Sequence, residues 1–169
     1  MRPARRRGRG ALGAVTGLAL LAGCGDGAAP TEEVAVTETF TASLSAANMV
    51  GPRIDSPGTG SATLTWDGTR LGFVLNVNDM TGIIAAHVHG PAQVDQNAAI
   101  LLNLFIPSSP TGTVNGELAR GAAVEGSPLI EAGTLASLLQ LMRAGTAYVL
   151  MHTQANPSGE IRGQISRVP

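Results

Sequence analysis

The feature that most constrains the fold of this chain is a two-residue alternation of apolar and polar side chains. In the segment VAVTETFTASLSA, which starts at Val34, valine, phenylalanine, alanine and leucine side chains fall on one side. Threonine and serine side chains between positions 37 and 43 fall on the other side. Because successive side chains of a β-strand point to opposite faces, this pattern predicts a strand with one buried face and one exposed face.

Further strands follow from the same kind of pattern. Residues 61–66 and 71–77 repeat the alternation, and Asp67-Gly68 between them predicts a tight hairpin of type I′. Residues 83–89 predict another strand, and the apolar run AAILLNLF at 98–105 predicts a strand buried on both faces. A weaker strand, VNGELA, lies in a stretch rich in glycine, proline and serine. The segments AYVLMHT and GEIRGQI predict a closing hairpin around the type I turn NPSG.

One segment has the periodicity of a helix. In TLASLLQLMRAG, Thr134 is placed to cap the N-terminus and Gly145 is placed to end the helix. The apolar stripe consists of Leu135, Leu138, Leu139 and Met142. Together, the strands and this helix predict a mainly β fold, a single antiparallel β-sandwich of roughly 135 residues with one short helix.

The N-terminus has the pattern of an export signal. MRPARRRGRG carries five arginines and no acidic residue, and a short apolar run follows that ends in LAGC at Cys24. This pattern predicts a lipoprotein signal peptide at residues 1–23, because a membrane-spanning helix needs about 20 apolar residues. Cys24 is the one cysteine of the sequence and lies where bacterial lipoproteins carry their lipid. Residues 24–37 begin with glycine, alanine and acidic residues and predict a flexible tether.

The charge of the exported part argues against a nucleic-acid partner. The sequence has 11 basic and 12 acidic residues, and five of its arginines lie in the predicted signal peptide. The rest has six arginines against 12 acidic residues, a net charge of −6 with neutral histidines. Nucleic-acid binding normally uses a basic surface and aromatic side chains that stack on bases. We expect instead a protein of the cell envelope, periplasmic or surface-exposed, attached to the membrane through its lipid.

Three segments together resemble the CHRD (chordin-type) domain, which also occurs in exported bacterial proteins. They are FTASLSAANMVGPRIDSPGTGSATL, AAHVHGPA and AYVLMHTQANPSGEIRGQI, and the resemblance covers about residues 38–168. It implies an immunoglobulin-like β-sandwich with a limited likeness to copper/zinc superoxide dismutases, and it implies no established activity. The chain departs from the family pattern at Met49-Val50-Gly51-Pro52, where the family usually has a Glu-Val-Pro-Pro-like stretch.

All three histidines of the sequence, His87, His89 and His152, lie in these motifs. Three imidazoles can hold copper or zinc and leave a coordination position open. Alternatively, each histidine is a structural side chain that satisfies a backbone group, and this interpretation is favoured because buried polar groups are normally hydrogen-bonded. A metal site requires the rings to converge within about 3 to 4 Å, whereas structural histidines each face a carbonyl or a carboxylate. Dismutase activity is not expected, since it draws on more histidines, including a bridging one.

The register of the closing hairpin decides which residues accompany His152. If NPSG closes a two-residue loop, His152 lies opposite Gly163 and shares an apolar face with Ile161. Glu160 and Arg162 then lie on the other face and are candidate binding residues, with an ordinary solvated ion pair as the alternative.

Patterns typical of enzymes are missing from the sequence. It has no G-x-S-x-G elbow, no glycine-rich phosphate loop between a strand and a helix, and no thiol that would stay free after lipidation. We therefore expect a non-catalytic binding or structural module with a protein or glycan partner. The alternative is a copper- or zinc-binding protein that uses His87, His89 and His152.

Overall fold

The computed structural model describes residues 37–169, which form a mainly β fold. The nine strands are β1 (Glu38–Ser45), β2 (Thr59–Trp66), β3 (Arg70–Thr81), β4 (Ile83–His89), β5 (Ile100–Phe105), β6 (Thr113–Val124), β7 (Tyr148–Thr153), β8 (Ile161–Gln164) and β9 (Ser166–Arg167). One α-helix, α1 (Leu135–Arg143), and one 3-10 turn, Ala46–Asn48, complete the described part. The predicted signal peptide and most of the predicted tether lie outside the described residues. Within residues 37–169, no helix has the length and apolar character needed to cross a membrane.

The strands form one antiparallel hydrogen-bonded sheet. Its order is β5-β4-β7-β8-β1-β2-β3-β6, and the short β9 pairs with β1. The first and last strands of this order also contact each other, so the sheet is nearly closed. The predicted mainly β class with one short helix is therefore confirmed, and the finer arrangement of two packed sheets stays a prediction.

The alternation that predicts β1 also determines its burial. Phe40, Ala42 and Leu44 are buried in the main core, whereas Thr41 and Ser43 between them are exposed. The neighbouring strands contribute in the same way, and helix α1 packs its predicted stripe against this core. Thr134 caps the helix by accepting a hydrogen bond from the backbone N–H of Ser137, as its position predicts.

The first hairpin has its turn one residue later than predicted. Asp67 donates its backbone N–H to the carbonyl of Arg70, so Gly68 and Thr69 are the two central residues. The carboxylate of Asp67 accepts hydrogen bonds from the backbone N–H groups of Thr69 and Arg70. An aspartate side chain that binds the backbone in this way belongs at the start of a turn, which explains the shift.

The predicted register of the closing hairpin is wrong by three residues. Leu150 pairs with Arg162 and Val149 pairs with Gly163, so Gly163 does not lie opposite His152. The NPSG turn is present, since the N–H of Gly159 donates to the carbonyl of Asn156, but residues on both sides of it extend the loop. Paired residues share a face, and Arg162 therefore lies on the same face of the sheet as Leu150 and, by alternation, His152.

The close neighbour of Gly163 is a residue of β1, and it is not the predicted His152. A Cβ atom at this position would lie 2.4 Å from the carbonyl oxygen of Ser43 on β1. The missing side chain thus allows the close approach of two backbones where β8 meets β1, and it does not make room for the ring of His152.

Candidate functional site

The pairing of β4 with β7 brings the three histidines together. His87 lies opposite Leu150, His89 lies opposite Tyr148, and Ala85 lies opposite His152. Side chains of directly paired residues project from the same face of a sheet, and diagonal neighbours on that face are within reach of ring side chains. His87 and His89 project from β4, and His152 reaches them from β7.

The three rings converge on one small volume. The Nδ1 atom of His87 lies 3.3 Å from the Nε2 atom of His152. One ring nitrogen from each of the three residues lies within 4.8 Å of the others. In a tetrahedral zinc site with bonds near 2.05 Å, ligand nitrogens are about 3.3 Å apart. The pair His87 and His152 already has this spacing, and the nitrogen of His89 lies within 4.8 Å of both.

Backbone carbonyls fix two of the rings. The Nδ1 atom of His89 lies 2.9 Å from the carbonyl oxygen of Ala98, and the Nδ1 atom of His152 lies 2.9 Å from that of Pro157. A carbonyl oxygen only accepts, so both Nδ1 atoms donate, and each neutral ring keeps a lone pair on Nε2. Histidines that bind metals are commonly oriented by this kind of hydrogen bond.

One of these lone pairs has nothing to bind. The Nε2 atom of His89 is enclosed by protein and has no hydrogen-bond partner among residues 37–169. A buried nitrogen without a partner costs free energy, and native proteins usually avoid it. A ligand placed between the three rings would supply the missing partner.

The surroundings keep the histidines neutral, which is the form that binds metals. The pKa of His87 is lowered to about 4, first by burial and then by the neighbouring His152 and His89, because two imidazolium charges repel each other. Burial also lowers the pKa of His89 and that of His152, against the opposite effect of their carbonyl partners. At neutral pH each of the three rings is therefore uncharged and has one nitrogen lone pair, as metal binding requires.

The geometry partly meets the criterion for structural histidines and partly meets the criterion for a metal site. His89 and His152 face backbone carbonyls, as structural histidines would, but they do so through Nδ1 and leave Nε2 for a ligand. The rings also converge, with His87 and His152 inside the spacing that a metal site requires and all three nitrogens within 4.8 Å. The assignment of a metal to His87, His89 and His152 stays a prediction, and these contacts make the two interpretations compatible.

Tyr148 is a part of the site that sequence reasoning did not identify. Its ring stacks on the ring of His89, with centroids 5.1 Å apart and an angle of 11° between the planes. Its hydroxyl accepts a hydrogen bond from the backbone N–H of Ala98. Since Ala98 also accepts from His89, the tyrosine and the histidine are anchored to the same residue. The stacking depends on the pairing of β4 with β7, which no local pattern in the sequence reveals.

The two candidate binding residues, Glu160 just before β8 and Arg162 within β8, have different neighbours. The carboxylate of Glu160 accepts hydrogen bonds from the side chains of Ser56, Thr153 and Asn156. Arg162 is buried, with its guanidinium carbon 3.8 Å from the centre of the Tyr148 ring. In the described part of the chain, Glu160 and Arg162 do not form a salt bridge with each other. Both side chains are buried, so the alternative of a solvated pair does not describe them.

Comparison with known proteins identifies the domain. The family model of the CHRD domain matches residues 40–165, which include all three histidines and nearly all of the described fold. No curated protein and no solved structure matches the chain. The family match covers most of the sequence, and the chain therefore belongs to the CHRD domain family.

Proposed function

We propose that this protein is a lipid-anchored, non-catalytic binding module of the cell envelope, and that its ligand is a copper or zinc ion held by His87, His89 and His152. The observation that carries the proposal is the convergence of the three imidazoles with one buried nitrogen left without a partner. Imidazole is a preferred ligand of both metals. Lipid anchoring is supported by the position of Cys24 after a basic and apolar N-terminus.

A metal would replace a proton within the cluster. In the metal-free state, His152 keeps its lone pair on Nε2, so the close Nδ1 atom of His87 donates its hydrogen to it. For the Nδ1 of His87 and the Nε2 of His152 both to hold a metal, His87 would change tautomer: Nδ1 would lose its hydrogen to solvent and Nε2 would take one up, so the ring would stay neutral. The Nε2 of His89 would be the third ligand, and a fourth position would be left for water or another small ligand.

The direct test is metal binding by a soluble form that starts at Gly25 and carries no polyhistidine tag. The protein is dialysed against dilute copper or zinc, and metal content is measured beside calorimetric titrations. We expect near-stoichiometric binding that is lost in a variant with His87→Ala and His152→Ala. Gln154→Ala, an exposed change next to the site, is the matched control and should keep the metal.

Circular dichroism of each variant separates loss of the site from loss of the fold. Metal that stays bound in the double variant would contradict the assignment of ligands. A wild-type protein that binds no metal, together with a double variant that loses stability, would make the histidines structural. The ligand would then have to be sought among proteins and glycans.

A further inference from the structure

A second candidate site is a cavity that does not include the histidines. Its volume is about 420 Å³, within the range of small-molecule pockets. It lies between the segment after β1, the loop after β4 and strand β8, and its lining includes Met49, Val50, Val94, Asp95, Arg162 and Gln164. The lining thus combines apolar side chains with charged and amide groups.

Arg162 is the unusual member of this lining. It is 1% exposed, yet it forms no salt bridge with a carboxylate among residues 37–169. Its Nη2 atom donates to the carbonyl of Gln93 at 2.9 Å and to the side-chain oxygen of Gln164 at 3.2 Å. Its Nη1 atom is enclosed and has no partner in the described part of the chain. A buried guanidinium with an unused donor is costly unless an acceptor is supplied.

The guanidinium is already oriented for such an acceptor. It lies over the ring of Tyr148, and the two hydrogen bonds that Nη2 donates hold it in this position. A planar guanidinium recognises carboxylates through its donor edge, and fixing it beforehand reduces the loss of side-chain entropy on binding. Burial lowers the pKa of Arg162, but a guanidinium stays charged at neutral pH.

We propose that this cavity binds a small organic anion whose carboxylate accepts hydrogen bonds from Arg162 and whose apolar part contacts Met49, Val50 and Val94. Met49, a flexible side chain of this lining, can adapt to the apolar part of the ligand. The exposed carboxylate of Asp95 also lines the cavity, where it opposes the anion without pairing with Arg162. This proposal does not rest on the metal site, because none of the three histidines lines the cavity.

The test uses hexanoate and its neutral analogue hexanamide as probes of the untagged protein. Binding is followed by nuclear magnetic resonance, through the side-chain signals of Arg162 and Gln164. We expect saturable shifts with hexanoate and binding of hexanamide that is weaker by about tenfold, since a charged hydrogen bond is lost. Equal binding of both probes, or no binding of hexanoate, would overturn the proposal.

Surface variants test the site without removing Arg162, whose loss could unfold the domain. Val94 is 68% exposed, so Val94→Glu adds a negative charge at the cavity with little effect on packing. We expect about tenfold weaker hexanoate binding from this charge, and tighter binding in Asp95→Asn. Val124→Glu is the matched control, because Val124 is 50% exposed and does not line the cavity. Equal effects of the changes at positions 94 and 124 would contradict the site, and metal content, measured in parallel, should not change.

Discussion

The Nδ1 atom of His87 and the Nε2 atom of His152 lie 3.3 Å apart across the paired strands β4 and β7. At this distance one hydrogen lies between the two nitrogens, and protonation of both rings would put like charges in contact. The pair therefore has two favourable states, one with a shared hydrogen and one with a metal in its place. Around neutral pH, where the lowered pKa values keep the rings uncharged, both states are accessible.

The first prediction concerns the pH dependence of stability in the metal-free protein. The pKa of His87 falls from 6.5 to about 4 on folding, first because of burial and then because of His152 and His89. The unfolded chain thus takes up protons at a higher pH than the folded chain does. The free energy of unfolding should be constant above neutral pH and should decrease as the pH falls from 6.5 towards about 4.

Urea unfolding after removal of metal by a chelator measures this dependence. The informative range is above about pH 5, where carboxylates do not yet titrate. His87→Gln should flatten the curve in this range, since it removes a histidine whose pKa folding lowers to about 4. A wild-type midpoint that stays the same from neutral pH to about pH 5 would show that the folded rings accept protons as freely as the unfolded ones.

Tyr148 provides a second prediction, because its ring and its hydroxyl have separable roles. Tyr148→Phe keeps the stacking with His89 and removes the acceptor for the N–H of Ala98. We expect it to lower the free energy of unfolding by about 1 kcal/mol and to leave zinc affinity nearly unchanged. Tyr148→Leu also removes the stacked ring, and His89 should then be less well oriented and zinc binding weaker. Urea unfolding and zinc titration of the two variants check this, and equal zinc affinities would show that the ring does not position His89.

The third prediction tests the close approach of β8 to β1. In Gly163→Ala, the new Cβ would lie 2.4 Å from the carbonyl oxygen of Ser43 and 2.8 Å from its carbon. Backbone atoms in a hydrogen-bonded sheet cannot move aside easily, so we expect a loss of about 3 kcal/mol in the free energy of unfolding. Gly112→Ala is the control, since no atom lies within 4 Å of its added Cβ. The two variants should differ clearly in denaturant midpoint, and similar midpoints would contradict the observed packing.

Local patterns in the sequence predict the strands and the helix well, but they predict poorly which strands pair and in which register. The bounds of β4 and the stripe of α1 follow from residues close together in the chain, because burial of one face imposes a period. The register of β7 and β8 does not follow, since it depends on how many residues the loop around Asn156 includes. The contact of Ser56 with Glu160 joins residues 104 positions apart, and no local pattern predicts it.

Local patterns likewise predict only part of the candidate site. The spacing of His87 and His89 in one strand predicts that they share a face, and the structure shows this. The approach of His152 depends on the pairing of β4 with β7, which are separated by the whole segment that contains β5, β6 and α1. The roles of Tyr148 and Ala98 depend on the same pairing, so the sequence predicts the ligands of the site more readily than the residues that orient them.

The last prediction concerns Cys24, which lies outside the described residues. If Cys24 carries the lipid, the protein expressed in a bacterial host should sediment with membranes and enter the detergent phase on phase separation. Cys24→Ala should prevent lipidation and leave the protein in the aqueous phase or as an uncleaved precursor. Mass spectrometry of the N-terminal peptide gives the direct readout, because lipidation adds a fixed mass to a peptide that begins at Cys24. Gly25→Ala, which keeps the thiol, is the control. An unmodified cysteine in the membrane-bound wild-type protein would mean that something other than a lipid attaches the chain.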